Sequence, residues 1–166
     1  MRLEGPAVKI SVHLDLRVSR GQIVERGGTH VHAATFIRER RLVLDAALLK
    51  SNAELRRILI HELFHFVWVR LGNPVRRSFE LLLAGQQKAR GELGWSAEYR
   101  KLELTAHDIR KRTRRWREYC CESFCDTAAY LFAKSKRHAE FTLARGHRKK
   151  RIEWFGKNLG PGSVRI

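Results

Sequence analysis

Methionine is nearly missing from this 166-residue chain: Met1 is the only one, beside three prolines and three cysteines. Cys120, Cys121 and Cys125 are odd in number and crowded into one short segment. A disulfide framework needs spread, paired cysteines, so this usage points to a reducing compartment and a cytoplasmic protein. No run approaches the ~18–20 uninterrupted apolar residues of a membrane-spanning helix, and no span is expected. The start, MRLEGPAVKI, carries neither an apolar stretch nor a small-residue cleavage site, so no secretory signal is expected. Acidic residues are also scarce. Seventeen Asp and Glu face 34 Lys and Arg, for a net charge of +17.

Such a surplus suits a polyanionic partner: nucleic acid, an anionic membrane surface or an acidic protein. It is uneven. Residues 110–166 hold 16 of the 34 basic residues and five of the 17 acidic ones. A hydrophobic content of 43% is enough to build one core at this length. No internal repeat is present.

The first 50 residues read as strands and turns. Val8–Leu16 alternates apolar with polar residues, the period of a half-buried strand. Ser19–Gly28 reads as a loop, His30–Ile37 as a second strand, Arg38–Arg41 as a charged turn and Leu42–Asp45 as a third strand. Helices follow. Ser51 with Glu54 has capping-box spacing, and a helix should run through Leu71 to the Gly72-Asn73-Pro74 breaker. Further helices are expected over Arg76–Arg90, from Thr105 (capped by Asp108) to about Ala133, and over His147–Leu159. Residues 91–104 read as irregular or weakly helical, and Gly160-Pro161-Gly162 as a frayed end.

Residues 61–65 are His61-Glu62-Leu63-Phe64-His65, an HExxH pattern inside the first helix. Residues i and i+4 share a helix face, so both imidazoles can reach one ion. The intervening Glu62 lies close enough to act on a metal-activated water without ligating. Apolar neighbours from Ile58 to Trp68 make three ionisable groups costly there unless something ligates or neutralises them. A catalytic zinc usually takes three protein ligands and keeps one position open. The HExxHxxGxxH pattern is absent, since Trp68 and Leu71 stand at its Gly and His positions, and no Met is present for a Met-turn. His107 and His138 are distant histidine alternatives. Glu122 is the better third ligand. With Asp126 it forms an i, i+4 carboxylate pair in the otherwise small and apolar stretch Tyr119–Ala133. Asp126 could then accept the distal N–H of a zinc histidine and fix its tautomer. Glu118, one turn before Glu122, is the rival ligand, although Arg115 and Arg117 beside it suggest exposure.

HELFH at 61–65 followed by ESFCD at 122–126 resembles the HExxH…ExxxD pattern of gluzincin metallopeptidases. The likeness covers about residues 30–133 and extends to minimal gluzincins of the ImmA/IrrE regulatory type. SprT-like proteases share HExxH and basic tails but use a third His. The resemblance implies a zincin-like α+β fold, with a small antiparallel or mixed N-terminal sheet on an active-site helix, then a helical C-terminal half. It implies one Zn2+ ion on His61, His65 and Glu122, with Glu62 as general base in peptide-bond hydrolysis. His30–Ile37 would be the edge strand that aligns a peptide or protein substrate. Tyr99, His107, Tyr130 and His138 remain open as the group that stabilises the oxyanion.

Cys121 and Cys125 flank Glu122 at i, i+4 and read as small packing residues, with a redox or second metal role as the alternative. His30 and His32 share a strand face and read as a solvated or hydrogen-bonded pair. Two basic clusters include aromatic residues. Arg110, Lys111, Arg112, Arg114 and Arg115 lie beside Trp116; Arg148, Lys149, Lys150 and Arg151 precede Trp154 and Phe155. These nine cations are the candidate nucleic-acid contacts. The expected layout is a metallopeptidase domain over 1–140 with a basic extension over 141–166. The alternative is a nucleic-acid-binding protein whose HExxH holds a structural or vestigial metal.

Overall fold

A computed structural model describes residues 2–135, 137–160 and 162–166. The fold is α+β, with six helices and three small sheets among the described residues, about half of which are helical. The central sheet has the order β2-β7-β6: β2 (Lys9–His13), β7 (Arg41–Asp45) and β6 (Ala33–Phe36). It is mixed, with β2 parallel and β6 antiparallel to β7. β7 is the buried centre, Leu42 and Val43 being fully enclosed. β6 lies at an edge. His30–Ile37 is therefore two strands: β5 (Thr29–His30) belongs to a separate sheet with β3 (Arg17–Ser19) and β4 (Gln22–Val24). The loop expected at 19–28 contains the β3–β4 hairpin. Its turn places Arg20 and Gly21 at φ 50 and 77, the left-handed pair such a two-residue turn needs.

Helix α1 (Asn52–Arg70) starts where Ser51 Oγ accepts the Glu54 N–H. It is apolar on two sides because it is covered on two sides. Leu55, Ile58, Leu59 and Leu63 pack against Leu42 and Leu44 of β7 and against Leu48 in the turn that follows it. Phe64, Val67 and Trp68 face the main core. There Phe64, Phe79, Phe124, Trp154 and Phe155 form one cluster of ring contacts. Helix α2 (Asn73–Ala84) begins earlier than expected, since Pro74 sits in its first turn where no N–H is needed. It ends at Gly85, short of Arg90.

Two departures bear on the site. Residues 91–104 contain an ordered helix, α3 (Trp95–Leu102). The long helix expected from 105 to 133 is broken into α4 (Ala106–Lys111) and α5 (Arg114–Phe132). Arg112 turns left-handed between them, at φ 49. Its guanidinium reaches Glu80 at 2.7 and 2.9 Å, and Asp108 accepts the Thr113 hydroxyl at 2.6 Å. Those side-chain bonds hold the break.

The segment 141–166, set apart in sequence by its charge, joins the common core. Phe141 and Leu143 pack with Leu93, and α6 (Arg145–Leu159) buries Trp154 and Phe155. The frayed end expected at Gly160–Gly162 includes Pro161, which lies outside the described residues. Ser163–Arg165 form β8, parallel to β1 (Arg2–Glu4).

Candidate metal centre

Helix α1 carries His61 and His65 one turn apart, with ring centroids 5.0 Å apart. Helix α5 crosses them with Glu122, Cys125 and Asp126. Glu122 Oε2 stands 3.2 Å from His61 Nε2 and 4.0 Å from His65 Nε2. Donors bound at ~2.1 Å on a tetrahedral zinc are about 3.4 Å apart, close to the Glu122–His61 separation and shorter than the Glu122–His65 one. Asp126, 2% exposed, accepts His61 Nδ1–H at 2.8 Å. That bond holds a proton on Nδ1, so Nε2 is the atom that faces Glu122, donating a proton to it or, with that proton gone, available to a metal. The other Asp126 oxygen accepts the Ala97 N–H at 3.2 Å and the Ser96 hydroxyl at 3.3 Å. Gly94 makes this approach feasible, because a Cβ there would overlap the Asp126 carboxylate.

The far edge of His65 meets sulfur. Cys121 Sγ and Cys125 Sγ lie 3.4 and 3.5 Å from His65 Nδ1. His61, His65 and Cys125 have ligand atoms within 4.8 Å of one another, so this trio can also hold a metal ion. All three cysteines are free. The sequence presents these sulfurs first as packing residues, with a redox or metal role as the alternative; their i, i+4 spacing beside Glu122 is the signal for the latter.

The electrostatics favour a cation. Burial pushes the Glu122 carboxyl up, but the His61 hydrogen bond and the His65 charge bring it down to about 2. Burial opposes charge on both rings. Asp126, Glu122 and Glu62 nevertheless raise His61 well above its ordinary value, and Cys121, Glu62 and Glu122 raise His65 to about 9. Such surroundings hold protons or, in their place, a divalent ion. The thiols differ. Cys125 donates to Cys121, which with His65 brings Cys121 down to about 6 despite burial, whereas burial pushes Cys125 up.

The donors open into a cleft of about 730 Å³. Its walls are β6 with the residues before it and the α3 residues Trp95, Ser96 and Arg100. Glu62 lies between them and accepts the Thr35 hydroxyl of β6 at 2.6 Å. Thr35, Ser96 and Arg100 carry no sequence signature, since each is placed by a distant element. Arg100 approaches Glu122 Oε1 at 3.7 Å, and its Nε is buried without a hydrogen-bond partner among the described residues. His30 lies on the rim, 3.3 Å from Asp45.

Other sequence candidates lie elsewhere. Glu118 pairs with Arg114 at 2.6 Å and Arg100 at 3.7 Å, and does not line the cleft. His138 binds Glu54 at 2.9 Å. Tyr99, His107 and Tyr130 do not line the cleft either. Arg110, Lys111, Arg114 and Arg115 are exposed, as are Lys149 and Lys150. Arg148 turns inward to the carbonyls of Leu143 and Phe141. Arg151 corrects the expectation of a surface contact. It is 0% exposed and pairs with Glu92 at 2.6 Å, with further bonds to Ser123 and Gln86. A fully enclosed Glu92 needs that partner, so Arg151 is unavailable to phosphate.

No family model, curated protein or solved structure matches the chain.

Proposed function

We propose that the chain is a zinc-dependent metallopeptidase with a zincin-like, gluzincin-type site, the ion held by His61, His65 and Glu122. The observation that carries this reading is the convergence of Asp126, His61 and Glu122. One carboxylate orients the imidazole, whose other nitrogen faces a second, ionised carboxylate 3.2 Å away. The trio with Cys125 is the weaker ligand set. It would require ionising a thiol that burial pushes up, while Glu122 is already an anion.

Zinc, when bound, supplies Lewis acidity that polarises a carbonyl and makes water acidic near neutral pH. The chain supplies the rest. Glu62 takes the proton of the attacking water and delivers it to the leaving amine nitrogen. Thr35 fixes one Glu62 oxygen, so the base is aimed before substrate arrives. Asp126 keeps the proton on His61 Nδ1 throughout. The open edge of β6 offers backbone groups to an extended peptide, and the Arg100 guanidinium faces negative charge developing in the cleft. The free cysteines fit a reducing compartment, and no described helix is long and apolar enough to cross a membrane.

The test combines metal analysis with peptide hydrolysis. Wild-type protein should retain one zinc per chain and cleave peptides. Glu62→Gln should keep the zinc and lose turnover by at least 100-fold. Glu122→Ala should lose zinc, whereas Cys125→Ala should keep it. Protein lacking stoichiometric zinc after purification under metal-retaining conditions would sink the proposal.

A further inference from the structure

A second concavity, of about 590 Å³, shares no lining residue with the metal cleft. Four arginines line it: Arg76 and Arg77 from α2, Arg112 from the break, and Arg117 from α5. Glu80 is the one acidic residue among the lining. Its carboxylate, 3% exposed, lies beneath the cations and accepts from Arg112 at 2.7 and 2.9 Å and from Arg77 at 3.2 Å. Two guanidinium forks are thus held in place while 45% of Arg77 and 42% of Arg112 stay exposed. Asn73 holds Arg76 at 2.8 Å. The start of α2 opens into the same groove with no side-chain cap, adding the positive end of a twelve-residue helix. Arg110, Lys111 and Arg115, before and after Arg112 in the chain, are exposed as well, whereas Arg114 is paired with Glu118.

We propose that this groove and the adjoining turn form a docking surface for the phosphodiester backbone of a nucleic-acid duplex. Guanidinium forks match phosphate oxygens in pairs, and prior anchoring lowers the entropy lost on binding. Four arginines from α2, the break and α5 offer more charge than a single small anion would neutralise, which suits repeated phosphates. The one aromatic lining the groove, Trp68, is 7% exposed and packed in the core. No ring is therefore offered for stacking unpaired bases, which favours a duplex over a single strand. A bilayer would call for apolar side chains on a protruding face, not cations lining a concavity. The surface also differs from the one the basic clusters suggest. Helix α6 loses Arg151 to the core and Arg148 to backbone carbonyls, whereas α2 contributes two arginines from outside either cluster.

The test is anisotropy of a labelled duplex of about 20 base pairs titrated with the full chain at several salt concentrations. Wild-type affinity should fall steeply with salt, at a slope of about −0.9 per phosphate contacted. Replacing Arg76 and Arg117 together with Gln should weaken binding about tenfold at low salt and make the slope shallower by about 2. Lys149→Gln with Lys150→Gln on α6 should leave both unchanged. Circular dichroism checks that each variant folds. Duplex DNA and duplex RNA binding each support the proposal. Unchanged binding in the Arg76/Arg117 variant, loss in the α6 variant, equal affinity for a single strand, or tighter binding to anionic vesicles would each overturn it. None of these results depends on zinc or on hydrolysis.

Discussion

Replacing Asp126 with Asn changes one atom and forces a choice. Both Asp126 oxygens act as acceptors: one for His61 Nδ1–H, the other for Ala97 N–H and the Ser96 hydroxyl. An amide has one oxygen and one NH2 group, so a donor must face a donor on one side. If the oxygen stays with His61, the enclosed Ala97 N–H loses its acceptor, at a cost of about 1–3 kcal/mol. For a chain this long, that lowers the unfolding midpoint by roughly 2–4 °C per kcal/mol. If the amide flips, NH2 faces Nδ1 and the ring moves its proton to Nε2, the atom needed for the metal. Loss of such a supporting contact lowers metal affinity about 10–100-fold, or roughly 1.4–2.7 kcal/mol. The two costs are alternatives, which makes the experiment sharp. Chelator competition reads zinc affinity, and urea unfolding of the zinc-free protein reads the stability cost. Asp126→Asn should fail in at least one. A variant matching wild type in both would refute the role given to Asp126.

Gly94→Ala should reach the same centre from the other side. Its methyl would displace the Asp126 carboxylate, lowering zinc affinity and costing about 1–3 kcal/mol of stability; urea unfolding with zinc titration checks it. Acid should act through Glu92. Burial pushes its carboxyl up, but Arg151 and Lys101 hold it below its ordinary value of 4.5. A depressed carboxyl contributes stability above its unfolded value and loses it as pH falls through the folded value. Urea midpoints should therefore decline below about pH 4.5 for wild type, and this part of the decline should vanish in Glu92→Gln.

The sequence made some parts readable because their causes are local. HExxH needs only helix periodicity to bring two rings together, and the Ser51 and Thr105 caps close within three residues. Features set by distant partners were not readable. Helix α3 is short and anchors through Asp126, some thirty residues away. The break at Arg112 depends on Glu80, and the burial of Arg151 on Glu92. A basic run looks like a surface until one of its members proves to neutralise an enclosed carboxylate. The gap of 56 residues between His65 and Glu122 says nothing of their 4.0 Å approach, which α1 packing along α5 creates.

The pairing of β1 with β8 has a practical consequence. Arg2 lies beside Ser163, and Ile166 donates its N–H to Glu4. Arg2 and Ile166 are thus separated by about the length of a three-residue strand, ~10 Å. A short linker could join them and new ends be opened at an exposed turn such as Arg20–Gly21, giving a circular permutant. Because the strands run parallel, Arg2 and Ile166 stand at opposite ends of the β1–β8 pair, so a linker joining them would run along its length.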